Sequence, residues 1–324
     1  MNAKTILITG GHGFIGSNLI RYYLNKYPEY QLVNIDYNTE AAYPGNVTGR
    51  DQAARYSYHR VDIRNAYAIN HLFELYNITD IIHCAAETRS EERVGEIRLY
   101  EQTNVLGTMN LLQAAENAWM ESPHQPKEEY MASCFHHISL TDISKETLYS
   151  DSKKRADAII CDFHKKTGLN VLTTASPEVF GPMQKEGELI PAYIDQALKG
   201  KLGVFEESAQ NVRNWLFVSD LCEAIDTVFH LGDAGQRYEI GYNARMGDRE
   251  LAWCITSLMG AHFPGNYAQQ KQNDFSNKAF APEKSPDTLK QLPGIVPITP
   301  FEKGLRITFN WYSSKNKAED FLKK

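Results

Sequence analysis

Short runs of apolar, β-branched residues alternate with amphipathic stretches through the first half of the chain. ILIT (6–9) is followed by the glycine-rich GGHGFIG and then by SNLIRYYLNKY, whose apolar positions recur at helical spacing. LVNID (32–36) and YHRVD (58–62) predict a second and a third strand, AINHLFELYN a helix, and DIIHCAA (80–86) a fourth strand. The spacing of Val105, Met109, Leu111 and Leu112 predicts a helix over roughly 98–117. CFHHIS (134–139) and NVLTTAS (170–176) complete a set of six strands. Strands separated by helices predict an α/β fold with a doubly wound parallel sheet.

The stretch 118–130, polar with two prolines, reads as a surface loop. Beyond about 176 the rhythm shortens. LFVSD (216–220), QRYEIGYN and PITPFEKGLRITFNWY suggest a smaller, mixed α/β C-terminal lobe. The expected division is 1–176 and 177–324, with some strands and helices of the second part returning to the first. A chain of 324 residues that is 42% hydrophobic and 23% charged can bury a core without disulfides or a structural metal. Its net charge of −6 speaks against a nucleic-acid partner. The five cysteines (Cys84, Cys134, Cys161, Cys222 and Cys254) are widely spaced and read as small buried hydrophobes, and no metal site is expected. KTILITGGHGFIG lacks the ordered regions of a signal peptide and no apolar run is long enough to span a membrane, so a cytoplasmic protein is expected.

TGGHGFIG puts Gly10, Gly13 and Gly16 between the first strand and the first helix. That position calls for a tight turn, close backbone approach to a pyrophosphate, and a helix N-terminus aimed at it. Asp36 ends the next strand 20 residues after Gly16, the spacing of a carboxylate that binds a ribose. Strand, glycine turn, helix and acid together predict a Rossmann domain that binds NAD, because an acid there repels the extra phosphate of NADP. Asp62-Ile63, after the third strand, either borders the adenine or caps the strand end.

Tyr149 and Lys153 are four residues apart, on one face of a helix. A neighbouring ammonium lowers the pKa of a phenol, so Tyr149 suits a general base that removes a hydroxyl proton while hydride leaves for nicotinamide. With these residues in view, the chain resembles the extended short-chain dehydrogenase/reductases, and among them the dTDP-glucose 4,6-dehydratase family. The matching stretches are ILITGGHGFIGSN, LVNID, YPGN, IIHCAAET, QTNVLGTMNLLQAA, FHHIS, YSDSKKRAD, ELIP, RNWLFVSD and FEKGLRITFNWY, in order along nearly the whole chain. The resemblance implies an NAD-dependent dehydratase or epimerase acting on a nucleotide sugar. It extends the cofactor set to Phe14, Ile15, Ala85, Ala86 and Thr103, beside Tyr149 and Lys153 themselves, with Asn104 next to Thr103. It implies substrate contacts from Glu87, Leu189, Ile190 and Pro191, and from Arg213 as the grip on a diphosphate. It also implies a homodimer through the helices near 98–117 and 149–165.

The chain departs from that family where elimination needs an acid and a base. The family's Thr-Asp-Glu after HHIS becomes Leu140-Thr141-Asp142 without a gap, or Thr141-Asp142-Ile143 with one inserted residue. Thr141 and Asp142 are thus the auxiliary catalytic candidates, the glutamate base is missing in either register, and the loop that follows is short. Glu178, Glu188 and Glu239 stand where the family carries Asn, Lys and Asn, and a basic run is reduced to Asp274-Phe275-Ser276-Asn277-Lys278. Two function classes stay open: an enzyme that oxidises a sugar carbon, with 4,6-dehydration itself in doubt, or a non-catalytic NAD-binding sensor, scaffold or partner subunit.

Overall fold

In the computed structural model, residues 3–49, 54–88, 97–141, 147–201, 211–259 and 298–322 are described. The chain forms β1 (Thr5–Thr9), α1 (Phe14–Lys26), β2 (Gln31–Ile35), β3 (Tyr56–His59), α2 (Ala66–Leu75) and β4 (Asp80–His83). Next come α3 (Ile97–Tyr100), a π-helical stretch (Glu101–Leu106) and α4 (Gly107–Trp119). A small hairpin of β5 (Met120–Ser122) and β6 (Gln125–Pro126) precedes β7 (Cys134–Leu140), α5 (Leu148–Thr167) and β8 (Val171–Ser176). The rest is β9 (Glu178–Phe180), α6 (Leu189–Leu198), β10 (Val212–Phe217), α7 (Val218–Leu231), β11 (Arg237–Glu239), β12 (Ala244–Gly247), α8 (Asp248–Leu258) and α9 (Phe301–Leu322).

The chain divides into two compact units, Met1–Ala175 with Ile225–Glu239, and Ser176–Ala224 with Ile240–Lys324. The first holds a seven-stranded sheet in the order β11-β8-β7-β4-β1-β2-β3, the doubly wound parallel sheet expected from the sequence. Its inner strands β1, β2, β4, β7 and β8 are buried along almost their whole length, as strands covered by helices on both faces are. Leu7, Val33, Ile35, Ile81 and Phe135 from the strands pack with Leu72, Leu111, Leu112 and Trp119 from the helices in one core. Order reverses at β1, where β2 lies on one side and β4 on the other, so the exits of β1 and β4 open the crevice that doubly wound sheets use for ligands.

The second unit has a three-stranded sheet, β12-β10-β9, with β9 parallel and β12 antiparallel to β10. Phe180 anchors its core, with ring centroids 5.0 Å from Phe301 and 5.5 Å from Phe217. Two segments read in the sequence as part of this lobe are placed as follows. LFVSD is a strand end followed by the start of α7, since the helix begins at Val218. QRYEIGYN supplies β11, which pairs in parallel with β8 in the large sheet and belongs to the first unit. Cys161 is exposed on α5, unlike the buried Cys134, Cys222 and Cys254. No helix among the described residues is long and apolar enough to cross a membrane.

A polar cluster ties α7 to α1 inside the first unit. Asp226, 3% exposed, accepts hydrogen bonds from Tyr27 Oη at 2.9 Å and Lys26 Nζ at 2.7 Å, with His230 Nδ1 at 3.2 Å. Burial pushes its carboxyl up, but His230, Lys26 and Tyr27 together push it further down, below the usual carboxylate range. The folded pKa lies below the unfolded one, so the stabilisation is full above about pH 4 and is lost as pH falls through the folded value. Asp226→Ala strands these donors and is expected to cost about 2–3 kcal/mol in urea unfolding. An unchanged midpoint would contradict this account of the cluster.

Candidate active site

The glycine turn leaves β1 at a point of close packing. Gly10 has φ +70°, and a Cβ there would lie 2.8 Å from the backbone N and Cα of Ala85. Gly16 sits so close to the turn that its Cβ would come 2.3 Å from the Gly10 carbonyl oxygen. Both positions therefore exclude a side chain. Gly13 precedes α1, so no side chain caps the helix, and the amides of Phe14, Ile15 and Gly16 occupy its first turn, where backbone donors lack intrahelical partners. Asp36 closes the cradle at the end of β2. Its Oδ2 accepts from His12 N at 3.0 Å and its Oδ1 from Asn38 N at 2.8 Å. A carboxylate has about four acceptor positions, so about two remain for ribose hydroxyls. A cradle that a Cβ would fill, with a fixed acid beside it, fits an adenine dinucleotide.

Asp62 is committed to its own turn. It accepts from Arg64 N at 2.9 Å and from the Arg64 guanidinium at 2.5–3.0 Å. Burial pushes the Asp62 carboxyl up and Arg64 more than reverses this, so the group is held below its ordinary range. The turn and the bond to Arg64 are compatible with both readings of Asp62, the strand-end cap and a border to the adenine. Ile63 is buried in the core, and Asn110 Nδ2 donates to its carbonyl at 3.0 Å.

A directional chain of hydrogen bonds fixes the exit of β4. Thr108 Oγ1 spends its one proton on Asn104 O at 2.7 Å, so it accepts from His83 Nε2–H at 2.9 Å. His83 Nδ1 then accepts from Thr9 Oγ1 at 2.7 Å, and Thr9 Oγ1 accepts from Ala85 N at 3.1 Å. Burial pushes the pKa of His83 well down, which keeps the ring neutral and suits this single tautomer. Asn104 extends the chain: its Oδ1 accepts from Glu87 N at 2.7 Å, and its Nδ2 donates to Glu87 O at 3.1 Å and Ser152 Oγ at 2.8 Å. Ser152 in turn donates to Tyr149 O at 2.7 Å. Ala85, Ala86 and Glu87 are thus tied through the π-helical stretch to the helical turn that carries Tyr149. Thr103 is half-buried on that stretch, and Asn104 beside it is the residue whose side chain makes the connection.

Tyr149 sits in a rigid first turn. Thr147 Oγ1 accepts from Ser150 N at 3.1 Å while Ser150 Oγ accepts from Thr147 N at 3.1 Å, a reciprocal cap. One turn on, Lys153 is buried. Its Nζ donates to Ile138 O at 2.9 Å and lies 3.3 Å from His137 Nε2. Burial pushes the Lys153 ammonium down to about 8, with Asp157 opposing. The His137 ring is pushed down to about 4, first by burial and then by Lys153, so it is neutral at pH 7. Thr141 follows β7 directly, and its buried Oγ1 meets no hydrogen-bond partner among the described residues. Asp142 and Ile143 lie outside the described residues, as do 274–278.

In the second unit Arg213 is already engaged. Its Nη1 donates to Glu178 Oε1 at 2.7 Å and its Nε to Asp248 Oδ1 at 3.2 Å. Strand register explains this: Glu178 opens β9 beside β10, and Asp248 begins α8 just after β12. Arg213, expected from the resemblance to grip a diphosphate, is held here between two carboxylates. Glu188 has its carboxyl raised by burial, with Lys185 opposing and Glu178 adding to the rise. Of the three residues that follow it, Ile190 has no exposed surface, Pro191 is buried and Leu189 is half-buried. Glu239, grouped with these acids in the sequence, lies in the first unit, 3.7 Å from Arg237.

The sequence reading did not single out His137, Asp157 or Arg237. Asp157 carried a signal, as an acid four residues beyond Lys153 on the same helix face. Arg237 carried none, because its partners are about 80 and 97 positions away.

A family model described as GDP-mannose 4,6 dehydratase matches residues 7–261. The dTDP-glucose 4,6-dehydratase of Haemophilus influenzae is 30% identical over 332 residues, covering 95% of this chain and 97% of its own. An Escherichia coli dTDP-glucose 4,6-dehydratase is 27% identical over 349 residues, 98% of this chain and 95% of its own. A crystal structure of dTDP-glucose 4,6-dehydratase from Bacillus anthracis in complex with NAD superposes with a TM-score of 0.79 at 27% identity, covering 97% of this chain and 98% of that one. The UDP-glucuronic acid 4-epimerase of Bacillus cereus, at 19% identity and a TM-score of 0.77, shares the fold.

Proposed function

We propose, because this chain belongs to the GDP-mannose 4,6 dehydratase family, that it is an NAD-dependent enzyme that oxidises a carbon of a nucleotide sugar, as dehydratases and epimerases do. The observation that carries the reading is the buried Lys153 one turn from Tyr149 on α5, with its ammonium held by Ile138 O. NAD when bound supplies the hydride acceptor. Gly10, Gly13, Gly16 and the first-turn amides at Phe14 and Ile15 hold its pyrophosphate, and Asp36 holds a ribose. Ala85, Ala86 and Thr103 border it.

Tyr149 takes the proton of the sugar hydroxyl as the carbon is oxidised, and the Lys153 ammonium stabilises the phenolate. Thr141 offers its hydroxyl to the same sugar oxygen, and Asp142 supplies any acid the reaction needs. Glu87 and Leu189 are substrate contacts in this reading. Oxidation or epimerisation at one carbon needs no second base, whereas 4,6-elimination does, so the former are favoured. The experiment is incubation with NAD and dTDP-, UDP-, GDP- and CDP-sugars, following NADH absorbance and keto-sugar formation. Measurable NAD binding with no turnover on any donor would instead support a non-catalytic role.

Arg213 keeps N–H groups that could meet a diphosphate, but Glu178 and Asp248 already share its charge and lie beside any phosphate it would hold. Each carboxylate near a diphosphate costs about 1–4 kcal/mol at effective dielectrics of 80 to 20, and exposure of this pair places it at the low end. Glu178→Gln is therefore expected to tighten nucleoside-diphosphate binding roughly three- to tenfold by calorimetry. Unchanged or weaker binding would rule out competition for Arg213. The protein is further proposed to be cytoplasmic and to pair as a homodimer through the helices near 98–117 and 149–165. A monomeric mass by light scattering would contradict the dimer.

A further inference from the structure

Lys153 sits at one end of a charged row that crosses the large sheet's edge and ends in Arg237. His137 Nε2 lies 3.3 Å from Lys153 Nζ and 3.3 Å from Asp157 Oδ1. The other Asp157 oxygen, Oδ2, accepts from Ser139 Oγ at 2.8 Å and from Arg237 Nη1 at 2.7 Å. Arg237 Nη2 donates to Leu140 O at 2.7 Å. One guanidinium thus joins three elements, β7, α5 and β11, through two bonds that need a planar fork. Leu140 is the last residue of β7, and Thr141 follows it. Asp157 lies one turn beyond Lys153.

We propose that Arg237 is a positioning residue for the Tyr149–Lys153 dyad, clamping the strand end that presents Thr141 to the helix that presents the dyad, and balancing the Asp157 charge that Lys153 faces. The proposal rests on the dyad reading above. A tether from the backbone carbonyl of Leu140 fixes where Thr141 emerges, and misplacement by about 1 Å at a reacting centre costs up to a hundredfold in rate. The charge balance is equally specific. Lys153 faces His83 from β4 and Cys84 just past it, His137 from β7, Asp157 from its own helix and Arg237 from β11. Among these, Asp157 and then Cys84 favour its charged form and Arg237 disfavours it.

The two effects separate by variant. Labelled lysine in the apo protein lets NMR follow the Lys153 titration, with the signal assigned by its loss in Lys153→Met. Arg237→Gln removes a positive charge and is expected to move the Lys153 midpoint to higher pH. Asp157→Asn removes a negative charge and is expected to move it to lower pH. Arg237→Lys keeps the charge but loses the fork, so the midpoint stays near the wild-type value while turnover falls roughly tenfold with an unchanged KM for NAD. Loosened packing alone would move both midpoints the same way, or neither, and either result overturns the proposal. The NMR arm needs no substrate. Failure of the proposed function, as turnover unaffected by Tyr149→Phe, therefore remains distinguishable from failure of the clamp.

Discussion

Tyr149→Phe is expected to lower turnover of a nucleotide sugar by about 10²–10⁴-fold, with NAD affinity nearly unchanged. The substitution removes one oxygen from a half-buried ring whose helical turn is set by backbone and side-chain bonds that do not involve the phenol. Thr147 and Ser150 cap the helix reciprocally, and Ser152 holds Tyr149 O while bound to Asn104. Urea unfolding run beside the assay separates any loss of stability from loss of proton transfer. The dependence on pH has a definite sign. Lys153, pushed down to about 8 mainly by burial, loses its ammonium as pH rises through that value, and with it the charge that stabilises the phenolate. Activity is expected to decline above about pH 8, opposite in direction to ordinary phenol titration, which would raise the base fraction. Equal rates for wild type and Tyr149→Phe at all pH values would contradict the assignment.

Gly16→Ala is expected to weaken NAD binding by about two orders of magnitude, or roughly 3 kcal/mol, measured by calorimetry. The added Cβ would lie 2.3 Å from the Gly10 carbonyl oxygen, and that oxygen is fixed, since it accepts from Gly13 N at 3.0 Å. No flexible side chain can yield, so the turn itself must open. A turn opened by about 1 Å no longer aims the first-turn amides of α1 at one point. Loss of helix–strand packing lowers stability too, so urea unfolding is run beside the binding measurement. Affinity within a factor of three of wild type would show that the glycine is there for packing alone.

Local patterns carried the first unit. The glycine turn, Asp36, and the Tyr149–Lys153 pair each lie within a single strand–helix junction or helix turn, where spacing fixes geometry. β1, β2 and β4 read directly because inner strands covered on both faces are buried along their length, whereas the edge strand β3, Tyr56–His59, begins two residues before the expected YHRVD. What depended on distant pairing was hidden. QRYEIGYN looks like part of the C-terminal lobe, and only its pairing with β8 brings Arg237 beside Asp157. Arg213 matched its family position, yet the carboxylates that hold it come from β9 and α8, at separations of 35 residues on either side. The same limit applies to Glu239: grouped by sign with Glu178 and Glu188, it belongs to a different unit and lies beside a cation. Charge sign is legible along a chain, but its compensation is not.

The proposed reaction moves a hydride from a sugar carbon to NAD with Tyr149 as the base. The most direct measurement uses protein supplied with NAD and nucleotide sugars deuterated at the carbon to be oxidised, quenched within a turnover and analysed for labelled cofactor by mass spectrometry. Deuterium is expected on the nicotinamide ring with wild type and to be nearly absent with Tyr149→Phe. Product formed from the labelled sugar with the cofactor unlabelled at every time would contradict it.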